Sequence, residues 1–366
     1  MSTNEPAIML EIRDLVVRYG DVVAVEDASL DARRNAITAL VGPSGCGKTS
    51  LLRAIAGFEA PAQGTVTIAG RTVAGNGRWV PPERRAVGMV FQEGALFPHV
   101  TVRQNVGFGL KGRPDADSRA RAALDLVGLA ELGERYPDEL SGGQQQRVGL
   151  ARALAPSPEI VLLDEPFANL DAALRQRVRE EVSAILREAG TTAVVVTHDQ
   201  EEALSIADRL AIMERGRILQ SGRPEEVYAR PSSEAVAEFI GDGQLLPCDV
   251  ANARVKSTLG SADCTAVDGP GLLLVRPEDL VIVPDSSERG VPGEVVRRRF
   301  FGHDRLHEVR LGGGDLVSVR CLGSDDRAKG SKVRLALRRK TYRLFSRDRQ
   351  GGTIGEATPD PESTAD

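Results

Sequence analysis

The stretch GPSGCGKTS (42–50) decides how the first part of the chain folds, because it has the spacing G-x-x-x-x-G-K-T of a phosphate-binding loop. The short apolar run 37–41 before it predicts a buried strand. After it, Leu51, Leu52 and Ile55 repeat at helical spacing. Strand, glycine-rich loop and helix are the setting that this motif requires, since backbone N–H groups and a helix N-terminus then surround anionic oxygens. The stretch therefore predicts nucleotide binding.

The residue types in this loop suggest roles for three of its members. Lys48 would neutralise charge on the β- and γ-phosphates, and the hydroxyl of Thr49 would bind Mg²⁺. A thiolate at Cys46, near a helix N-terminus, would have a lowered pKa, which leaves a redox role open, although a small tolerated loop side chain is favoured. The loop alone does not separate kinases, GTPases, helicases and transporter ATPases, because all of them share it.

Length and composition limit the alternatives. A chain of 366 residues suggests two domains. The net charge of −5 predicts no large basic surface for nucleic acid. The four cysteines lack metal-ligand spacing. We find neither an apolar run approaching the ~18 residues of a membrane span nor a signal-peptide core, so we expect a soluble, cytoplasmic protein.

The pattern of elements changes near residue 240. Before it, strands alternate with helices, and the runs 160–163 and 192–197 are apolar throughout, which predicts a parallel α/β core. Beyond it, short alternating strands separated by Gly and Asp turns predict a small, barrel-like β-domain. Residues 346–366 are polar and rich in Gly, Pro and acids, which predicts a disordered tail.

Polar residues follow three of the predicted core strands. Asp164 ends one apolar strand, as the Mg²⁺-supporting aspartate of P-loop ATPases does, and Glu165 beside it could accept a proton from an attacking water. Gln92 ends the preceding strand and could reach Mg²⁺ or water. His198 ends the run 192–197 and could hydrogen-bond a γ-phosphate. A lone histidine at a strand end is more often structural, and only this position favours a role.

The turn SGGQ (141–144) offers a serine, exposed amides and a helix N-terminus, so it is a second phosphate-binding device. The two devices are far apart in sequence. Either they meet within the chain, or each completes the other's site in a head-to-tail dimer. Spacing alone leaves both arrangements open.

Together these motifs resemble the ATP-binding cassette (ABC) family over residues 8–240. The matching segments are Walker A at 42–49, the Q-loop at Gln92, the signature LSGGQQQR at 140–147, Walker B at 160–164 followed by Glu165, the D-loop ANLD at 168–171 and the switch histidine His198. The resemblance implies a P-loop NTPase fold, an ABC nucleotide-binding domain with a helical subdomain at about 96–155. Residues 241–345 resemble the oligonucleotide-binding-like (TOBE-type) regulatory domain of one importer branch.

The resemblance also implies a homodimer that holds two ATP molecules and hydrolyses them. The implied catalytic residues are Glu165, as general base, with His198, Gln92 and Lys48. Mg²⁺ would be held by Thr49 and Gln92, with Asp164 acting through water. Tyr19 would stack on adenine. The full set of nucleotide contacts that the family implies is Tyr19, Gly42, Pro43, Ser44, Gly45, Cys46, Gly47, Lys48, Thr49, Ser50, Gln92 and Asp164, with Ser141, Gly142, Gly143 and Gln144 from the partner subunit.

Three further segments look like the importer branch: 87–110, PPERR (81–85) and VRPEDL (275–280). This implies two transmembrane permease subunits, an extracytoplasmic solute-binding protein, and a place on the cytoplasmic face of the cell membrane. The stretches 73–85 and 239–250 most resemble ferric-iron importer ATPases. Polyamine, thiamine, sulfate, phosphonate and sugar importers are the alternatives.

The sequence disfavours two other classes of protein. Soluble cassette ATPases of DNA repair or translation usually carry tandem cassettes or a long coiled-coil insertion, and we find neither in this sequence. A non-hydrolytic regulatory protein is disfavoured because Lys48, Asp164, Glu165 and His198 are all intact.

Overall fold

The computed structural model describes residues 7–92, 96–168, 170–283, 289–323, 326–338, 341–347 and 352–359. The chain divides into two compact units, residues 1–225 and 226–366. This division lies before the predicted boundary at 240, because the segment after residue 225 is tied to the C-terminal strands. The guanidinium of Arg276 donates hydrogen bonds to the backbone oxygens of Tyr228, at 2.8 Å, and of Ile240. In the described residues, no helix has the length and apolarity to cross a bilayer.

The N-terminal unit contains two sheets. Its strands, in chain order, are β1 (Ile8–Tyr19), β2 (Val22–Arg33), β3 (Ile37–Val41), β4 (Gln63–Ile68), β5 (Arg71–Gly75), β6 (Arg78–Trp79), β7 (Val87–Val90), β8 (Ile160–Asp164), β9 (Thr192–Thr197), β10 (Arg209–Glu214) and β11 (Arg217–Gly222). An antiparallel sheet has the order β2-β1-β4-β5-β6, and a second sheet has the order β11-β10-β3-β9-β8-β7. In the second sheet all neighbours except β10 and β11 run parallel. The predicted parallel α/β core is confirmed.

The helices of the described residues are, in chain order, α1 (Lys48–Ala56), α2 (Val102–Gly107), α3 (Ala116–Leu126), α4 (Gly142–Leu154), α5 (Ala172–Glu188), α6 (Gln200–Ile206), α7 (Pro224–Ala229) and α8 (Glu234–Phe239). Side chains of α1, α4 and α5 pack in the apolar clusters that contain the strands of the parallel sheet. Every residue of β3, β8 and β9 is buried. Along β8, Leu162 packs in the cluster that contains α1 and the antiparallel sheet, whereas Val161 and Leu163 pack with α4 and α5. A strand buried on both faces explains the unbroken apolar run.

The C-terminal unit is built mainly from β-strands. They are β12 (Gln244–Ala251), β13 (Arg254–Ser257), β14 (Gly260–Cys264), β15 (Gly269–Val275), β16 (Leu280–Val283), β17 (Val291–Phe300), β18 (Asp304–Leu311), β19 (Leu316–Leu322), β20 (Lys332–Leu337), β21 (Tyr342–Ser346) and β22 (Thr353–Pro359). A closed barrel has the order β12-β13-β14-β22-β21-β15, and a sheet has the order β16-β20-β17-β18-β19. The predicted barrel-like β-domain agrees with this architecture.

The prediction of a disordered tail over 346–366 is wrong for the segment that forms β22. This strand pairs antiparallel with β14 and with β21, and it closes the barrel. Ala357 and Pro359 are buried there. Main-chain pairing on both sides orders a segment whose polar composition gave no sign of it, because backbone hydrogen bonds do not depend on side-chain type. The parts of the predicted tail at 348–351 and 360–366 lie outside the described residues.

Candidate functional site

The predicted catalytic residues meet at one edge of the parallel sheet. The phosphate loop follows β3, Asp164 ends β8, His198 follows β9, and Gln92 lies just beyond β7. These four strands are adjacent in the order β3-β9-β8-β7 and run in the same direction. Their carboxyl ends therefore share an edge, which is where ligands bind in open α/β sheets.

The phosphate loop leaves the start of α1 available to an anion. Gly47 adopts φ 107°, and a Cβ at this position would lie 2.2 Å from the backbone oxygen of Ala24, so only glycine fits. Among the described residues, no side chain caps the N-terminus of α1. The first N–H groups of a helix have no intrahelical acceptor, and they favour phosphate oxygens.

Lys48 lies across the inside of this loop. Its Nζ donates hydrogen bonds to the backbone oxygens of Gly42, at 2.8 Å, and of Pro43, at 3.0 Å. The side chain is buried, so its charge is held next to the loop amides rather than in bulk water. This places a cation where the phosphates of a bound nucleotide would lie.

The expectation of a lowered pKa at Cys46 is wrong. The thiol is 5% exposed, and burial is the largest influence, which raises its pKa despite the charge of Lys48 nearby. The Sγ atom lies 3.9 Å from Nζ of Lys48. A buried thiol of raised pKa has little thiolate at neutral pH, so the small-side-chain interpretation is the better one.

Thr49 and Asp164 form the candidate Mg²⁺ site. The Oγ1 atom of Thr49 donates a hydrogen bond of 3.1 Å to Oδ1 of Asp164. Asp164 is 8% exposed, and burial is the main reason that its pKa is raised, with the charge of Glu165 acting in the same direction. A hydroxyl beside a buried carboxylate is an oxygen donor set of the kind that Mg²⁺ prefers, so these residues fit the ion.

Glu165 and His198 contact each other. The Nδ1 atom of His198 lies 3.1 Å from Oε2 of Glu165. The backbone of Glu165 has φ 43°, a left-handed conformation that is uncommon outside glycine, and its N–H donates to the oxygen of Val196 at 2.9 Å. Side chains are 20% exposed for Glu165 and 53% for His198, so the imidazole faces solvent on its outer side. The two side chains can act on the same water molecule.

Two further predicted contacts lie apart from these pairs. Tyr19, at the end of β1, is 41% exposed, which leaves its ring open to stacking. Gln92 is exposed at the same sheet edge as Asp164. Asn169 of the D-loop segment and residues 93–95 of the importer-like stretch lie outside the described residues.

The turn 141–144 begins α4. Gln144 N–H donates to Oγ of Ser141 at 3.4 Å, and the Gln144 side chain accepts from the Ser141 N–H at 2.9 Å. Ser141 and Gly142 are exposed, whereas a Cβ at Gly143 would lie 2.8 Å from Cγ2 of Val178 on α5. Within the described chain, no hydrogen bond joins this turn to the phosphate loop.

A charged cluster next to the His198 turn is not among the features predicted from the sequence. Buried Glu202 of α6 accepts a hydrogen bond of 2.6 Å from Oγ1 of Thr197, and Arg175 of α5 lies near it. The sequence carries a signal for this cluster, since Arg175 and Arg179 are four residues apart on one face of a helix. The fold is needed to show which carboxylate they face.

Comparison with known proteins now identifies the family. The chain matches the ABC transporter family over residues 25–168 and the TOBE domain family over residues 273–345. It is 46% identical over 332 residues to the Fe(3+) ions import ATP-binding protein FbpC 1 of Rhodococcus jostii, a match that covers 88% of this chain and 95% of that protein. The chain belongs to the ABC transporter family. As an ABC transporter ATPase it binds and hydrolyses ATP.

Other relatives and one solved structure agree. Identity is 42% to the spermidine/putrescine import ATP-binding protein PotA of Pseudomonas fluorescens, covering 86% of this chain and 89% of that one. Sequence identity is 46% to the sulfate/thiosulfate import ATP-binding protein CysA 2 of Chromobacterium violaceum, a match that covers 75% of this chain and 76% of that protein. The structure of CbiO1 from Clostridium perfringens, described as part of the ABC transporter complex CbiONQ, matches with a TM-score of 0.56 at 28% identity, covering 61% of this chain and 91% of that one.

The buried charge of Asp164 predicts a pH-dependent gain in stability for Asp164→Asn in nucleotide-free, Mg²⁺-free protein. The asparagine keeps an acceptor for Thr49 but removes the charge. At low pH the carboxyl is protonated in folded and unfolded chains, so the variant and the parent have similar stability. As pH rises towards the raised pKa of Asp164, the charged carboxylate increasingly destabilises the parent. The excess stability of the variant grows over this range and then stays constant.

The measurement is the free energy of unfolding in urea at several pH values, followed by the fluorescence of Trp79, the single tryptophan of the chain. Asp21→Asn, at an exposed position between β1 and β2, is the control and should change this free energy by less than about 0.5 kcal/mol. An Asp164→Asn variant less stable than the parent at neutral pH would contradict the burial argument.

Proposed function

We propose that two copies of this ABC ATPase bind two ATP molecules head to tail, and that closing and opening of this dimer drives solute import through membrane subunits. This proposal is supported by the separation of the two phosphate-binding devices within one chain. The loop 42–50 and the catalytic pair Glu165 and His198 share one sheet edge, whereas the turn 141–144 carries an exposed helix N-terminus with no hydrogen bond to that loop in the described chain. In a head-to-tail dimer, the turn 141–144 of one copy can complete the site that the loop 42–50 of the other copy begins.

In the proposed reaction, a water oxygen bonds to the γ-phosphorus as the bond to the oxygen bridging to ADP breaks. Glu165 accepts the proton of that water, and the imidazole of His198, 3.1 Å from the carboxylate, orients the water and the γ-phosphate. Lys48 and the loop amides stabilise charge on the phosphates. Mg²⁺, when held by Thr49 and Gln92 with Asp164 acting through water, neutralises further phosphate charge.

The partner subunit completes the proposed site. Ser141, Gly142, Gly143 and Gln144 of the partner subunit would approach the γ-phosphate with the N-terminus of α4. Because Gly143 has no side chain, its contribution would come from the backbone N–H, and a Cβ at this position would lie 2.8 Å from Cγ2 of Val178. Tyr19 would stack on adenine, which its exposed ring allows.

The proposed partners in the membrane are two permease subunits, served by an extracytoplasmic solute-binding protein, with this chain on the cytoplasmic face. The relatives are import ATP-binding proteins, and CbiO1 is part of a transporter complex. A groove of about 540 Å³ in the predicted helical subdomain supports this proposal. Phe97, Phe108 and Lys111 contribute to its walls, and such a groove suits a short permease helix.

Ferric iron is the solute that we propose, on the observation that an Fe(3+) import ATP-binding protein matches this chain at 46% identity over 95% of its own length, whereas the sulfate/thiosulfate relative of equal identity is matched over 76%. Deleting the gene should abolish uptake of labelled Fe(3+) and leave spermidine and sulfate uptake intact, with full recovery on complementation by the parent gene. Loss of spermidine or sulfate uptake instead would reject iron and assign the corresponding alternative. The cassette itself does not contact the solute, so uptake has to be measured in cells.

Replacing the proposed base by an amide predicts loss of turnover with retention of ATP. Glu165→Gln should lower kcat for phosphate release by about 10²-fold or more, because a positioned general base contributes at least that factor. It should also trap an ATP-bound dimer, detectable by size-exclusion chromatography with labelled ATP. Glu201→Gln, on the exposed side of α6, is the matched control and should retain the parental kcat. Unchanged phosphate release by Glu165→Gln would reject the assignment of the base.

A further inference from the structure

The turn that carries His198 is closed by a buried carboxylate. Glu202 is 4% exposed, and it accepts a hydrogen bond of 2.6 Å from Oγ1 of Thr197, the residue before His198. On the other side of His198, the Asp199 N–H donates to the same Thr197 oxygen at 3.0 Å, and Oδ1 of Asp199 accepts from the Glu202 N–H at 3.1 Å. These hydrogen bonds hold the backbone of the turn from which the imidazole projects.

An arginine of α5 connects this turn to the D-loop segment 168–171. The Nη2 atom of Arg175 donates a hydrogen bond of 2.9 Å to the backbone oxygen of Leu170. Its Nε lies 3.9 Å from Oε1 of Glu202, and its Nη1 lies 4.0 Å from Oδ2 of Asp199. One guanidinium thus spans from the D-loop backbone to the carboxylates of Asp199 and Glu202, which follow His198 in the chain.

Burial and the neighbouring arginines have opposite effects on the pKa of Glu202. Burial raises the pKa of Glu202 and the charge of Asp199 acts the same way, whereas the Thr197 hydroxyl and the charges of Arg175 and Arg179 lower it. The Nε atoms of both arginines are buried without a hydrogen-bond acceptor in the described part of the chain. A buried charged network is often no more stabilising than apolar residues of the same volume. A gain in stability therefore does not explain why charged residues occupy the surroundings of Glu202.

We propose that Arg175 and Glu202 are positioning residues, which hold His198 against Glu165 and link its orientation to the D-loop. The inference rests on the proposed hydrolytic roles of Glu165 and His198. The path runs from the Leu170 oxygen through Arg175 to Glu202 and Thr197, and it ends at the 3.1 Å contact between His198 and Glu165. A displacement of the segment around Leu170 then moves the imidazole, and a misplacement of about 1 Å at a reacting group can cost about 10²-fold in rate.

The test uses two conservative variants of the full-length protein with saturating ATP and Mg²⁺. Glu202→Gln keeps an acceptor for Thr197 and the side-chain volume but removes the charge facing Arg175. Arg175→Lys keeps the charge but cannot reach Leu170 and both carboxylates at once. Each should lower kcat about tenfold with KM for ATP unchanged within about twofold, since orientation rather than ATP binding is impaired. The double variant should be no slower than the slower single variant, because both break one path.

Matched controls lie beside these positions. Glu201→Gln is adjacent to Glu202 but exposed, and Arg177→Lys lies on the exposed face of α5, where its guanidinium is 79% exposed and pairs with Glu181. Both should retain the parental kcat, since exposed ion pairs contribute little. Thermal midpoints of all variants are measured in parallel, and the losses in kcat of the test variants should not follow the changes in their thermal midpoints.

The Glu165→Gln variant separates the two proposals. If it retains turnover, the hydrolytic assignment fails and the positioning role fails with it. If it is inactive while Glu202→Gln and Arg175→Lys keep the parental kcat, the positioning role alone is overturned. Losses in kcat that follow the thermal midpoint and add in the double variant would also overturn it, because they would show a structural role.

Discussion

The parallel pairing of β3, β9, β8 and β7 is the constraint on which the rest of the site depends. It places the ends of four strands at one edge, so the phosphate loop, Asp164, Glu165 and His198 need no long side chains to meet. Burial of these strands on both faces holds the edge rigid, because helices and a second sheet pack against alternate residues. At this edge the hydroxyl of Thr49 donates a hydrogen bond to Asp164, and His198 contacts Glu165.

Much of the site could be predicted from sequence because its chemistry demands fixed residue types at fixed spacing. A phosphate loop needs glycine, lysine and threonine in order, and a strand buried on both faces shows as an apolar run before Asp164. Features that depend on packing between segments could not be predicted in this way. The raised pKa of Cys46, the lack of room for a Cβ at Gly143 beside Val178, and the pairing of β22 all arise between segments that are distant in sequence.

In the proposed dimer, each nucleotide site combines the phosphate loop of one chain with the turn 141–144 of the other. Lys48, Thr49 and Asp164 form hydrogen bonds within one copy, and we propose that they bind phosphate and Mg²⁺. The capping box of Ser141 and Gln144 instead stabilises the start of α4 and leaves Ser141 exposed. In the proposed dimer, ATP is the bridge between these parts, so nucleotide binding and subunit closure are one event. The work done on the membrane subunits would come from that closure.

Complementation between two inactive variants tests this account most directly. Lys48→Ala removes the loop cation, and Ser141→Arg blocks the exposed turn while leaving the phosphate loop of the same chain intact. In a head-to-tail dimer, a mixed pair has one site with both defects and one site with neither. Mixing the two purified variants should therefore restore ATP hydrolysis that neither shows alone. A mixture as inactive as its components, with mixed dimers demonstrated by differential tags, would contradict the shared site.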